Sequence, residues 1–259
     1  MTDRPHGAPD TRPPVFADLA ASLRAGLRDF VSAPLPGLFF ASVYVLGGII
    51  MAAITYATGT TYWLILAVLG FPLVGAFAAL GLYETSRRRQ AGIPLNLKEI
   101  MGVVWAEKNG QLPWLAVMVV VLFLFWFFLG HMIFALFLGL SPMTNVSTSL
   151  DVYLTMDGLT MLAFGSVVGA IFAALTFAMS VLGMPMLLDR DVDFMTALTR
   201  SIAAVAETPL TYLAWGAFIA VVTLVAMLPG FLGLFLVLPV LGHATWHLYK
   251  RVTSGSRTT

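Results

Sequence analysis

The sequence predicts an all-α fold. It is a polytopic membrane helix bundle with six transmembrane helices, arranged as three pseudo-repeated hairpins. A short cytoplasmic amphipathic helix precedes each hairpin. Three observations carry this. Hydrophobic residues fill 59% of the 259 positions, and only 14 basic and 13 acidic side chains are present. A soluble domain is about 45–50% apolar with glycine included and about 25% charged, so a water-soluble fold of this size could not cover itself. Second, the apolar residues gather in stretches that meet the roughly 20 residues a bilayer core needs. Third, every Lys and Arg lies in a tail or in the connections after spans two and four.

The spans fall near 36–57, 62–83, 113–139, 158–188, 210–228 and 230–249, within a membrane domain over 15–252. Residues 1–14 are polar and proline-rich, with no apolar core of a signal peptide. They read as a disordered cytoplasmic tail, and 253–259 as a second tail. Residues 15–31 place Phe16, Leu19, Leu23, Leu27 and Phe30 on one helical face, and Asp18, Arg24, Arg28 and Asp29 mostly on the other. Residues 95–108 repeat the pattern with Leu97, Ile100, Val104 and Trp105. Residues 193–206 repeat it with Phe194, Leu198, Ile202 and Val205. Each reads as an amphipathic helix, either in the inner interface or packed on the ends of the bundle. Thr58-Gly59-Thr60-Thr61 turns the first hairpin, and Pro229-Gly230 turns the last with almost no loop.

Prolines mark the repeat. Pro36, Pro113 and Pro209 open the odd spans, where proline loses no helical bond. Pro72, Pro185 and Pro239 sit inside the even spans, where proline removes a backbone bond and kinks the helix. Charge placement sets orientation. The connections after spans one, three and five hold no Lys or Arg, and only Asp151 and Asp157 are charged there. The positive-inside rule then puts both termini in the cytoplasm.

Chemistry-bearing residues are few. There is no cysteine, which excludes disulfides, thiolate metal sites and cysteine nucleophiles. No Asp, Glu, Lys or Arg lies near the middle of a span, which weighs against ion-coupled transport. His243 and His247 stand at i and i+4 on one face of span six, where a metal or haem is conceivable. His131 lies near the outer side of span three, too far along the membrane normal to join them. The plainer role for His243 and His131 is an interhelical hydrogen bond, and for His247 a place with Trp246, Tyr249, Lys250 and Arg251 in the inner aromatic and basic belt, so no metal, cofactor or catalytic residue is assigned. Asp189-Arg190-Asp191-Val-Asp193 lacks calcium-loop spacing. Asp191 or Asp193 caps the following helix, and Asp157 caps span four. Arg87-Arg88-Arg89 fixes topology. Gly165-Ser166-Val-Val-Gly169 is a small-xxx-small pattern, read as a close helix contact inside the bundle.

Four runs resemble a known family: Asp29-Phe-Val-Ser-Ala-Pro-Leu-Pro-Gly-Leu-Phe-Phe40, Gly81-Leu-Tyr-Glu-Thr-Ser-Arg-Arg88, Leu188-Asp-Arg-Asp-Val-Asp-Phe-Met-Thr-Ala197 and Pro239-Val-Leu-Gly-His-Ala-Thr-Trp-His-Leu-Tyr-Lys250. They are similar to an uncharacterised proteobacterial integral-membrane family, a domain of unknown function, over roughly 15–252. Some relatives carry a cytochrome c oxidase label. This chain has too few spans and histidines for a haem–copper catalytic subunit. The resemblance therefore implies an accessory or assembly protein, with the lipid bilayer and other membrane subunits, such as a respiratory complex, as partners. No nucleic acid is expected. A channel or transporter for a small solute is the alternative, and a haem- or metal-binding protein using His243 and His247 is the second.

Overall fold

The starts of the helices follow local chemistry. The computed structural model describes residues 4–59, 64–139 and 150–254, with the backbone alone for 64–73 and 150. In chain order the helices are α1 (Phe16–Ser32), α2 (Pro34–Thr58), α3 (Leu64–Gln90), α4 (Leu97–Ala106), α5 (Leu112–Leu138), α6 (Met156–Ser180), α7 (Gly183–Asp189), α8 (Phe194–Glu207), α9 (Pro209–Met227) and α10 (Leu234–Ser254). No strand occurs among the described residues. Asp18 in the first turn of α1 accepts from Val15 N at 3.0 Å. Asn96 caps α4 through Lys98 N at 3.0 Å, and Asp193 caps α8 through Thr196 N at 2.9 Å. These side chains satisfy donors that a helix start leaves unpaired. Pro34, Pro113 and Pro209 occupy first-turn positions of α2, α5 and α9. Thr155 rather than Asp157 caps α6, accepting from Gly158 N at 3.1 Å. Asp157 lies two residues past the cap, in the first turn, where it faces the helix dipole without capping.

Four described helices are long and apolar enough to cross a membrane: Pro34–Thr58, Leu112–Leu138, the α6–α7 stretch Met156–Asp189, and Pro209–Met227. Only 22–28% of each apolar window is buried. The rest faces outward, as Phe128 and Leu136 do at 70% and 73% exposure. In water such a surface would aggregate, whereas in lipid it is solvated.

Two expected spans are built differently. The stretch 158–188 is broken at Val181–Leu182, and Pro185 belongs to the first turn of α7 instead of kinking a continuous helix. Proline has no N–H to bond the Val181 carbonyl, and Ser201 Oγ of α8 takes the nearby Leu182 N–H at 3.1 Å. The last hairpin does not turn on Pro229-Gly230 alone. Turns run from 228 to 233, and α10 starts at Leu234, four residues later than expected. Gly233 is needed there: a Cβ on it would lie 2.5 Å from Ala226 O. Phe231, at φ 68, sets its ring against Gly48 of α2, so the turn is also a packing element. In the first hairpin, left-handed Gly59 closes α2 at φ 63, while Thr60 and Thr61 lie outside the described residues. α3 is helical through Pro72, whose side chain also lies outside them.

The halves of α3 and α10 that bear charge, together with α7, meet in the centre of the bundle, with α2, α5 and α9 around them. The three short helices lie across the end that carries both termini, here called the charged end. α1 packs on α10, α4 on α3, and α8 on α6 and α7. The core concentrates at this end, with Trp246, Tyr212 and Tyr249 its largest enclosed side chains. Residues 4–14, expected as a disordered tail, are tied along it. Arg4 pairs with Glu107 and donates to Leu187 O at 2.9 Å. Arg12 N donates to Val252 O at 2.9 Å.

Candidate functional site: a polar hub at the charged end

The amphipathicity of α1 departs from expectation in part: Leu19 is in the core and Arg24 and Arg28 face outward as expected, but the two acids do not. Its polar edge, Asp18, Ser22, Gly26 and Asp29, is buried against α10, while Phe16, Leu27 and Val31 are exposed. Gly26 permits this: its Cβ would lie 2.5 Å from Val240 O and 2.6 Å from Ala244 N. Asp29 is thereby carried into the bundle.

The Asp29 carboxylate accepts from Ser86 Oγ at 2.7 Å, His247 Nε2 at 2.8 Å and Arg89 Nε at 3.0 Å. Burial pulls its pKa upward. The hydrogen bonds from His247, Ser86 and Arg89 outweigh that and hold it below the ordinary carboxylate value. His243 Nδ1 lies 2.8 Å from Ser86 Oγ and 3.1 Å from Leu82 O. A carbonyl only accepts, so Nδ1 carries the proton. The Ser86 proton then goes to Asp29, and His243 Nε2 is a bare acceptor, enclosed and without a partner among the described residues. Gln90 sets the other histidine. Its Oε1 accepts from Trp246 Nε1 at 2.9 Å, and its Nε2 donates to His247 Nδ1 at 2.9 Å. His247 is therefore protonated at Nε2 alone, facing Asp29.

This arrangement joins α1, α3 and α10 through one carboxylate. It is not a nucleophile triad, because the Ser86 proton is held by a carboxylate instead of a histidine base. His247 has both nitrogens engaged, so a metal or haem would have to displace Gln90 or Asp29 to reach it. Among the described residues no group of three His, Asp or Glu stands ready to hold a metal.

Two further clusters flank the hub. Glu84, fully buried, pairs with Arg87 at 2.6 Å and Arg88 at 2.8 Å, and Arg88 reaches Glu99 of α4 at 2.6 Å. Asp189 accepts from Tyr249 at 2.9 Å and Lys250 at 3.2 Å. The arginine run expected to fix topology is thus also cross-linking: Arg88 holds α4 and Arg89 holds α1. His131 stands apart, about 28 Å along α5 from its start. It is exposed, and its Nδ1 donates to Phe127 O at 2.8 Å.

The histidine pair was visible in sequence by its spacing. Asp29, Ser86, Arg89 and Gln90 were not tied to it, because they come from other helices. The available signal was an acid on a short helix placed where its neighbours in space are apolar spans.

Outward-facing apolar helices, with polar groups gathered at one end, define an integral membrane protein of the α-helical class. Residues 64–189 match a family model described as a predicted integral membrane protein, DUF2189, a domain of unknown function. That segment runs from α3 through α7, just under half of the chain. It contains the run Gly81–Arg88 and the first two residues of Leu188–Ala197, while the runs at 29–40 and 239–250 lie outside it. Comparison with curated proteins and with solved structures returned no match.

Proposed function

We propose that the chain is a six-span inner-membrane protein, both termini in the cytoplasm, that acts without catalysis as a structural or accessory partner of other membrane subunits. The observation that carries this is how its buried ionisable groups are used. Asp18, Asp29, Glu84, Arg88 and Glu107 are each spent on a cross-link to another charged side chain.

Several features support six spans. α3 has 27 residues and α10 has 21, and the order short–long–long recurs three times. The packing recurs too: each short helix lies on the second long helix of the preceding unit, taken cyclically. That is the relation expected of three pseudo-repeated hairpins around an axis. The complete split of Lys and Arg supports the orientation. The oxidase label of relatives makes a respiratory complex the first partner class to examine.

Purification in mild detergent with identification of what accompanies the protein tests the role. A lone monomer with activity of its own overturns it. The cysteine-free chain allows a separate test of topology. In intact cells an impermeant maleimide should label Leu228→Cys and spare Ser254→Cys; the reverse pattern overturns the orientation.

A further inference from the structure

The three seams between hairpin units are unequal. α10 is closely packed against α2, and α3 against α5, whereas α6 barely touches α9. This third seam holds a cavity of about 750 Å³, walled by α5, α6 and α9. Ala170 and Ala173 of α6 and Ala217 and Ala220 of α9 line it and are exposed, so it opens sideways at the depth of the apolar spans. A cavity of about 470 Å³ continues it toward the end of the bundle away from the charges; Trp126 and Gly169 line both.

Small residues usually let membrane helices approach closely. Here Phe177 acts as a spacer, its ring 3.2 Å from where a Gly216 Cβ would stand. The small residues beyond it therefore leave room instead of making contact. The Gly165–Gly169 pattern behaves the same way. A Cβ on Gly165 would meet nothing within 4 Å, and one on Gly169 only Trp126 Nε1 at 3.3 Å. The expected close helix contact is replaced by cavity wall.

Polarity is distributed along this cleft. In the larger part, Thr176 and Ser180 turn their hydroxyls back to Phe172 O and Thr176 O at 2.9 and 2.7 Å. That part offers an apolar body no free donor. The smaller part is lined by His131, Tyr153 and Ser166. Among the described residues the Tyr153 and Ser166 hydroxyls and Trp126 Nε1 have no hydrogen-bond partner, and His131 keeps Nε2 free.

We propose that the α6–α9 seam binds one linear amphipathic lipid. Its hydrocarbon chain lies between α6 and α9, and its hydrogen-bond-accepting head group, a carbonyl or phosphate oxygen, sits at Tyr153, Ser166 and Trp126. The volume is that of a ligand site, apolar with a few convergent polar groups. Inside a bilayer the chain gains little from leaving water, so selectivity comes from packing and from the head group. An acyl lipid and a polyprenyl lipid share this chemistry.

The test uses the full chain. Mass spectrometry of the organic extract of protein purified in mild detergent separates an acyl from a polyprenyl occupant. In nanodiscs, phosphatidylglycerol with a diazirine in one acyl chain should label the α6 and α9 walls about tenfold more than the exposed face of α2 around Leu46, a difference of about 1.4 kcal/mol. Ala173→Leu with Ala217→Phe should remove that excess, Tyr153→Phe should weaken it, and Leu46→Phe should leave it intact. Label spread evenly around the spans, or a filled seam labelled like the parent, overturns the proposal. So does a native mass showing that filling the seam dissociates a dimer, which would make a second copy the occupant. Should the filled variant fail to fold, the label map of the parent chain decides alone.

Discussion

Asp29 concentrates the charge logic of the molecule at a single residue. Its side chain is 9% exposed and that of Arg89 26%. Asp29→Asn leaves Arg89 without its counter-ion. Breaking a fully buried pair costs about 3–5 kcal/mol, and the partial exposure of Arg89 brings the expected loss to about 2 kcal/mol. Thermal unfolding in detergent, followed by tryptophan fluorescence, measures it; an unchanged midpoint contradicts the hub. The pH dependence has a fixed sign. Asp29 is held below its ordinary pKa by its hydrogen bonds, and Asp18 by its hydrogen bond from Arg12. The stabilisation is complete above the unfolded carboxylate value of about 3.9 and is lost as pH falls through the lower folded values. The midpoint should therefore not respond to these two groups between neutrality and about pH 5, and should drop below about pH 4. Asp18→Asn and Asp29→Asn should each flatten that drop. Sequence reading set His243 and His247 on one face of span six by their spacing. It sent Asp29 to water, because a polar edge of an amphipathic helix is assumed to seek solvent. For Asp18 and Asp29 that assumption fails, since both find partners inside the protein, whereas Arg24 and Arg28 on the same helix keep to the outside.

At the level of elements, α1 is the clearest instance of that departure. Gly26 brings its buried edge onto α10, and Gly26→Leu should force the two helices apart, at about 1–3 kcal/mol as for other overpacked contacts. Amide exchange over 16–32 should then quicken while that of α5 stays constant; equal exchange in α1 would show that the contact is not close. The periodic signal located α1, α4 and α8 within about two residues, since helical spacing of apolar residues survives whichever edge is buried. Turns were less legible. Pro229-Gly230 marks a reversal but not its length, which is set by how Phe231 and Gly233 fit against α2 and α9. The break at Val181–Leu182 depends on a hydroxyl from α8, which no local pattern reveals.

The whole molecule is organised by unequal seams. Composition and hydropathy were enough to place the chain in lipid, and the charges separated one end from the other. Which seams close was not legible, because small residues are read as contact points, and a single spacer, Phe177, converts them into space.

The link between Asp29 and His247 spans 218 positions. Because synthesis runs from the N-terminus, α1 emerges first and its chief partner, α10, last. Until the final helix is in place, the polar edge of α1 can bond only water, Arg12 and, on α3, Ser86 and Arg89. Assembly is therefore checked at its end: only a completely inserted chain can close the hub. A chain stopped at residue 233 should keep its earlier spans but show fast amide exchange throughout α1, and should be cleaved there by protease before any loop. Slow exchange in the truncated chain would show that α1 docks without waiting for the last helix.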